Sequence, residues 1–253
     1  DIAPLADSIA PYLDADDDET IQREAAHCIA VIAADYPDDI ADTHMELVKI
    51  VSDGGDALGH AVDALVAISE ESPLALEPAV LPLGEVLRDS SVAIRVRMQA
   101  TIAFRNLATV KPALGMDVMD DVAAVFDAED YRLRNNALAL TFDIAQYHTD
   151  VVTPYVDDIA AFLTADDAYT RTNASGTLAR VAGDFPDAVA DLVPTFIDCL
   201  EDDDHRVREN ACWALGHLKA SEAASALEDR LQDEPNEAVR NRAAWALSEI
   251  NPI

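Results

Sequence analysis

One short phrase recurs seven times along the chain, and no other feature limits the possible folds so sharply. Its clearest copies are Val207-Arg208-Glu209-Asn210-Ala211-Cys212-Trp213-Ala214-Leu215 and Val239-Arg240-Asn241-Arg242-Ala243-Ala244-Trp245-Ala246-Leu247. The same frame, apolar–Arg–x–x–Ala–x–x–apolar, returns at Val96-Arg97, Leu133-Arg134 and Thr170-Arg171. A weaker copy begins at Gln22-Arg23 and a degenerate one at Ala57-Leu58. The central alanines are Ala26, Ala61, Ala100, Ala137, Ala174, Ala211 and Ala243, spaced 32 to 39 residues apart. A period in that range marks stacked supersecondary units.

Each unit carries the same internal plan. The central alanine lies on a helix whose apolar residues recur at three and four, as in Val207, Ala211, Ala214, Leu215 and Leu218. An acidic turn precedes it, such as Glu201-Asp202-Asp203-Asp204, and supplies an N-cap with favourable charge at the helix start. Before the turn comes a shorter apolar helix, as in Leu192 to Leu200. Pro4, Pro78 and Pro154 each stand nine residues ahead of the last leucine of that first helix (Leu13, Leu87, Leu163), where proline opens a helix without losing a bond. Nothing alternates with period two over a useful length, so no sheet is expected. A lone helix pair cannot bury its own apolar stripe, whereas stacked neighbours can. The expected fold is all-α, a right-handed α-solenoid of about seven helix–turn–helix repeats forming a single domain over 1–253. The repeats fall near 1–40, 41–75, 76–114, 115–150, 151–188, 189–219 and 220–253. Repeat 2 departs from the frame: Leu58 replaces the arginine and Gly54, Gly55 and Gly59 crowd its turn, so irregular stacking is expected there.

The pattern Asp203…Val207-Arg208…Ala211…Ala214-Leu215-Gly216 resembles the HEAT-repeat family, in particular its short-period, PBS-lyase-like branch. The resemblance covers nearly the whole chain. It implies second helices lining a concave side, and it leaves function open, because such repeats serve adaptors, scaffolds, transport factors and a few enzymes. It also implies an Asp–Arg ladder between adjacent repeats, matched here by Arg23, Arg97, Arg134, Arg171, Arg208 and Arg240. Four of these have an acid four residues earlier (Glu19, Asp130, Asp167 and Asp204), the spacing of neighbours on one helix. The amides Gln99, Asn136, Asn173 and Asn210, one residue before each alanine, are read as satisfying backbone groups between repeats.

Charge is the strongest compositional signal: 49 acids against 17 bases, net −32, with only three lysines among the bases. Half of the residues are hydrophobic, which excludes a disordered chain. In dilute buffer such charge repels itself and weakens the compact state; at molar salt the Debye length falls to roughly 3 Å and the repulsion largely disappears. Excess acid, scarce lysine, abundant alanine and few large aromatics resemble proteins of a salt-saturated cytoplasm, as in haloarchaea. The competing reading is a mesophilic acidic protein that binds basic partners or mimics nucleic acid. It fits less well with acid spread along nearly the whole chain. No run of 18 apolar residues marks a membrane span. No signal peptide is visible, although the chain begins at Asp1 without a methionine, which leaves a preceding segment open. Cys28, Cys199 and Cys212 form no disulfide framework or metal spacing, and the six histidines form no HExxH-like pair. A reduced, cytoplasmic protein without metal or cofactor is expected.

With 100° per residue and the alanine facing the core, positions five before and two or five after it point away, into the expected groove. Five before, repeats 3 to 6 carry Arg95, Arg132, Tyr169 and Arg206; two after, the last repeats carry Trp213 and Trp245; Arg105 stands five after Ala100. Residues 88–134 are net neutral, against −18 for 1–87 and −14 for 135–253. An acidic or phosphate-bearing partner is least repelled there, and arginine and aromatics supply interface hot spots. Arginine near a helix start also opposes the dipole, which argues for a purpose beyond stability. The competing reading is that these arginines relieve local self-repulsion and the frame merely tolerates tryptophan. Catalysis is not expected. The chain has no His-Glu dipeptide of the kind HEAT-repeat deoxyhypusine hydroxylases use for two irons, no identifiable bilin site, no glycine-rich phosphate loop, and no carboxylate pair that stands out. The function expected is a non-enzymatic scaffold or adaptor binding a segment of another protein on its concave face. The alternative is nucleic-acid binding through an Arg/aromatic groove, against which the net charge argues. A third reading is one arm of a longer assembly with an end face covered by another chain.

Overall fold

The computed structural model describes residues 3–15 and 18–251, and among these there is no strand. The helices come in successive pairs. α1 (Ala3–Ile9) precedes α2 (Glu19–Ala33), α3 (His44–Asp53) precedes α4 (Leu58–Glu71), and α5 (Val80–Arg88) precedes α6 (Ile94–Val110). α7 (Gly115–Ala123) precedes α8 (Tyr131–Ala145), while the short α9 (Thr149–Val152) and α10 (Val156–Ala160) together precede α11 (Ala168–Asp184). α12 (Val193–Cys199) precedes α13 (His205–His217), and α14 (Ala224–Asp233) precedes α15 (Glu237–Ile250). The chain divides into two compact units, Asp1–Leu140 and Thr141–Ile253. In the first, α4 packs between α2 and α6; in the second, α13 packs between α11 and α15.

All seven central alanines have 0% exposure. Each is followed three or four residues later by a large apolar side chain; Ile29, Leu65, Phe104, Leu140, Leu178 and Leu215 are buried, and Leu247 in the last repeat is half-buried. A methyl group at the crossing point lets neighbouring second helices approach closely, and the larger residue fills the space beside it.

First helices differ from the single short helix expected of each unit. They are broken by 3-10 turns, such as Pro37–Thr43 and Pro73–Ala79. Pro78 lies inside the second of these, just ahead of α5, and Pro154 lies in the turn Thr153–Tyr155 between α9 and α10. Proline offers no N–H to an α-helical ladder, so the α-helix starts after it. In repeat 2 the acidic turn is replaced by two consecutive glycines with φ of 79° each, a left-handed conformation that ends α3 at Asp53.

Side chains of the preceding turns cap second helices in repeats 1 and 4 to 7, whereas α4 and α6 begin after Ala57 and Ala93 with no side-chain cap, contrary to the expected plan. Asp18 accepts from the N–H groups of Thr20 and Ile21, Asp130 from Arg132 and Leu133, Asp167 from Thr170, Asp204 from Arg206, and Asn236 from Ala238 and Val239. This role corrects the helix-neighbour reading of the four-residue acid–arginine spacing at Asp130, Asp167 and Asp204; Glu19 lies inside α2, and Arg23 turns to Glu24 instead. Asp204 has extended backbone (φ −86°, ψ 121°), so its side chain leaves the helical path. There it meets Arg206, whose Nε and Nη2 reach it at 3.0 and 2.8 Å. Asp130 holds Arg132 in the same way, at 3.2 and 2.7 Å.

The repeated arginines turn back onto the loop before their own helix. Nη1 of Arg134 donates to Ala128 and Glu129 carbonyls, that of Arg171 to Ala165 and Asp166, that of Arg208 to Asp202 and Asp203, and that of Arg240 to Glu234. Arg97 uses Nε on the Leu87 carbonyl at 2.9 Å. In the C-terminal unit the guanidinium also reaches into the next repeat. Arg171 grips Asp202 at 2.6 and 2.9 Å, and Arg208 grips Glu234 at 2.8 Å through two N–H groups. Arg23 instead pairs with the adjacent Glu24 at 2.8 Å and with Asp56 at 4.0 Å. Of the amide series, Asn210 donates between repeats to the Thr172 carbonyl and Ser175 Oγ, and Gln99 donates to the Asp63 carboxylate. The buried Nδ2 of Asn173 has no partner among the described residues.

Candidate partner-binding face

The arginine row does not present bare cations. Arg95 on α6 reaches back to Asp63 on α4, its Nη1 lying 2.6 and 2.9 Å from the two oxygens, and Gln99 holds the same carboxylate at 3.1 Å. Arg132 and Arg206 are bound by the caps of their own helices. All three remain about half exposed, as does Tyr169 beside Arg206, and Arg105 is exposed on α6. The dipole argument for a purpose beyond stability therefore loses its force at Arg132 and Arg206. The capping carboxylate neutralises the cation at the position where the dipole would repel it. Its own pKa falls to about 2 at both Asp130 and Asp204, chiefly through the hydrogen bonds from the arginine.

A different constellation stands out in the C-terminal unit. Its second helices interleave cations and rings in the order Phe142, Arg180, Trp213, Arg242, Trp245. The Arg180 guanidinium carbon lies 4.6 Å from the Phe142 ring centre and 5.4 Å from that of Trp213. Arg242 lies 5.3 Å from Trp213 and 5.6 Å from Trp245. His217 sits between the tryptophans, 5.7 Å from one and 5.1 Å from the other. All six side chains are half-buried, so the stack is both built into the face and open along it. Two glycines make the packing possible. A Cβ at Gly176 would lie 2.6 Å from a Phe142 ring carbon, and one at Gly216 would lie 2.5 Å from the Trp245 ring.

Arg180 is electrostatically unusual for so acidic a chain. Among the described residues no carboxylate lies within ion-pair distance of it, and its buried Nε has no hydrogen-bond partner. Burial lowers its pKa, and Asp143 acts more weakly in the opposite direction. Arg242 has a loose ion pair with Glu209 at 3.7 Å. Burial, aided by Arg242, also lowers the pKa of His217.

The sequence reading placed Trp213 and Trp245 on this face and missed the other four members. Phe142 stands five after Ala137, the same outward position as Arg105. Arg242 breaks the amide series, occupying the place before Ala243 where Asn210 stands before Ala211. Arg180 and His217 lie six after their alanines, one residue beyond the positions considered.

The N-terminal unit offers a second feature. His27 on α2 and His60 on α4 meet with ring centres 4.7 Å apart at the edge of a cavity of about 510 Å³ whose floor is Ala30, Val31, Val66 and Ala67. Burial and His27 lower the pKa of His60. Among the described residues no group of three or more His, Cys, Asp or Glu side chains is arranged to hold a metal ion. Cys199 and Cys212 are buried, and burial pushes their thiols up to about 11 and about 12. No described helix is long and apolar enough to cross a membrane.

Comparison with known proteins agrees with this architecture. Residues 155–248 match the family model described as HEAT repeats. No curated protein sequence matches the chain. Among solved structures, the chain resembles an engineered protein from the Northeast Structural Genomics Consortium, with TM-score 0.75 and 22% identity over 97% of this chain and 68% of that one. It resembles a designed armadillo repeat protein with TM-score 0.61 and 20% identity over 96% and 99%. UNC-45 from Drosophila melanogaster gives TM-score 0.79 at 13% identity over 98% of this chain, which spans 37% of UNC-45. The chain is an all-helical repeat protein of the solenoid class, and its residues 155–248 match HEAT repeats.

Proposed function

We propose that this protein is a non-enzymatic scaffold whose second-helix face binds a segment of another protein, and that the C-terminal Arg–aromatic stack is the principal contact. The observation that carries this reading is the half-exposed run of alternating guanidinium and ring from Phe142 to Trp245. Buried stability does not require so much arginine and tryptophan left open along one face, and these are the residue types that dominate binding hot spots. Within the C-terminal unit Tyr169 and Arg206 take a secondary part, because an ion pair to Asp204 already engages Arg206; Arg95, Arg105 and Arg132 belong to the N-terminal unit and are a separate candidate contact, where Asp63 and Asp130 hold Arg95 and Arg132. The working medium is a reduced, salt-rich cytoplasm, where a net charge of −32 is screened. The global charge favours a protein partner over nucleic acid.

The test is capture of the natural partner at molar salt by wild type, by a Trp213→Ala/Trp245→Ala variant, and by an Arg95→Glu/Arg132→Glu/Arg206→Glu variant. Loss of the tryptophans should weaken capture by about 30-fold or more, the effect of a hot spot of 2 kcal/mol. Capture that survives the tryptophan change and disappears with the arginine change would return the site to the arginine row.

A further inference from the structure

Resting on that reading, the geometry points to a specific chemistry for the bound segment. We infer that the segment is acidic and extended, and that it sets one carboxylate in the plane of the Arg180 guanidinium and a second against Arg242.

The stack leaves Arg180 one direction for a ligand. Phe142 and Trp213 both lie within cation–π range of its guanidinium, and neither ring can accept a strong hydrogen bond. The N–H groups of a guanidinium point outward in its own plane, where a carboxylate fits as a two-pronged acceptor. In a chain of 49 acids, most arginines have such a partner from the chain itself: Asp63 for Arg95, Asp130 for Arg132, Asp202 for Arg171, Asp204 for Arg206, Glu234 for Arg208. Arg180 is held half-buried without one. A half-buried cation lacking a counter-charge is costly, and a carboxylate from outside removes that cost.

Arg242 supplies the second point. The two guanidinium carbons lie 5.4 and 5.3 Å from the same Trp213 ring centre, so they are no more than about 11 Å apart. An extended chain rises about 3.3 Å per residue and presents alternate side chains on one side, so acids two residues apart reach both. The surrounding acids Asp143, Asp184 and Glu249 oppose an acidic ligand at long range, and Glu209, 3.7 Å from Arg242, competes with it for that guanidinium. Salt removes that opposition more effectively than it weakens a contact partly shielded from water. Recognition of this kind therefore works best at high ionic strength, unlike the usual attraction between oppositely charged surfaces.

The experiment titrates the full chain at about 1 M KCl with capped octapeptides alternating glutamate and alanine, or glutamine and alanine, and with an oligothymidylate of the same length. Tryptophan emission is the readout, because both tryptophans of the chain belong to the stack. The expected result is a saturable change with the glutamate peptide and binding at least about tenfold weaker with the glutamine peptide. Arg180→Gln and Arg180→Lys should lose the response, with the helical circular dichroism of wild type showing that both variants are folded. Equal binding of both peptides would overturn the carboxylate inference and leave the protein-binding face standing. A response to the oligonucleotide stronger than to the glutamate peptide would replace both readings with nucleic acid. No response to any probe, or wild-type affinity in Arg180→Gln, would also overturn the inference; partner capture that still depends on Trp213 and Trp245 would separate that failure from failure of the face itself.

Discussion

Glu234 has no exposed side-chain surface, yet it carries a charge that two arginines share, Arg208 at 2.8 Å and Arg230 at 3.5 Å. Removing one member of such a group strands the other. Glu234→Ala should cost about 3 kcal/mol in urea denaturation, whereas the double change Arg208→Met/Glu234→Leu should recover most of the loss; a single change costing under about 1 kcal/mol would show that Arg208 finds water or its loop carbonyls sufficient. Asp204 gives a pH-dependent counterpart. Its folded pKa lies near 2, below the ordinary value of 3.8, so its contribution is complete above about pH 4 and disappears as pH falls through about 2. Asparagine also caps helices, so the deficit of Asp204→Asn measures the charge interaction with Arg206. That deficit should shrink between about pH 4 and about pH 2, and a deficit constant across the window would contradict it. His217 reports from inside the aromatic stack. Because burial lowers its pKa, tryptophan emission should titrate with a midpoint below 6.5, and His217→Gln should abolish the transition.

At the scale of elements, the glycines of α11 and α13 decide whether the stack can form. Alanine in place of Gly216 gains intrinsic helix propensity, roughly 1 kcal/mol. It also puts a Cβ 2.5 Å from the Trp245 ring and 3.0 Å from the Ala246 Cα. Overpacking should win, giving a net loss of about 1–3 kcal/mol and a red-shifted tryptophan emission; a more stable protein with unchanged emission would count against the packing described. The seven buried alanines and the capping acids were legible in the sequence because a repeated frame states the same helix–helix contact again and again. The broken first helices were not, since apolar spacing of three and four cannot distinguish a continuous α-helix from α-helical and 3-10 pieces sharing one buried face. Arginine partners were misread for a related reason. The four-residue rule holds between helical residues, and a cap such as Asp204 lies just outside the helix. Trp213 and Trp245 stand out in the sequence because they repeat, and Arg180 does not because it breaks no pattern.

For the whole molecule, the net charge of −32 is the dominant long-range energy, and its effect depends on the medium. The thermal midpoint should rise steadily from about 0.1 M to about 2 M KCl, as the Debye length falls from about 10 Å towards 3 Å or less. A midpoint independent of salt would contradict adaptation to a salt-rich cytoplasm. The claim that the second-helix face meets the partner is tested most directly by site-specific photocrosslinking in the source cells' own extract at molar salt. One photoreactive residue would stand at exposed Ser248, one turn from Trp245 on α15, and another at exposed Glu228 on α14. We predict a single protein adduct from position 248 that excess glutamate peptide displaces, and none from position 228. An equally strong adduct from position 228, or one from 248 that survives the Trp213→Ala/Trp245→Ala change, would contradict the account.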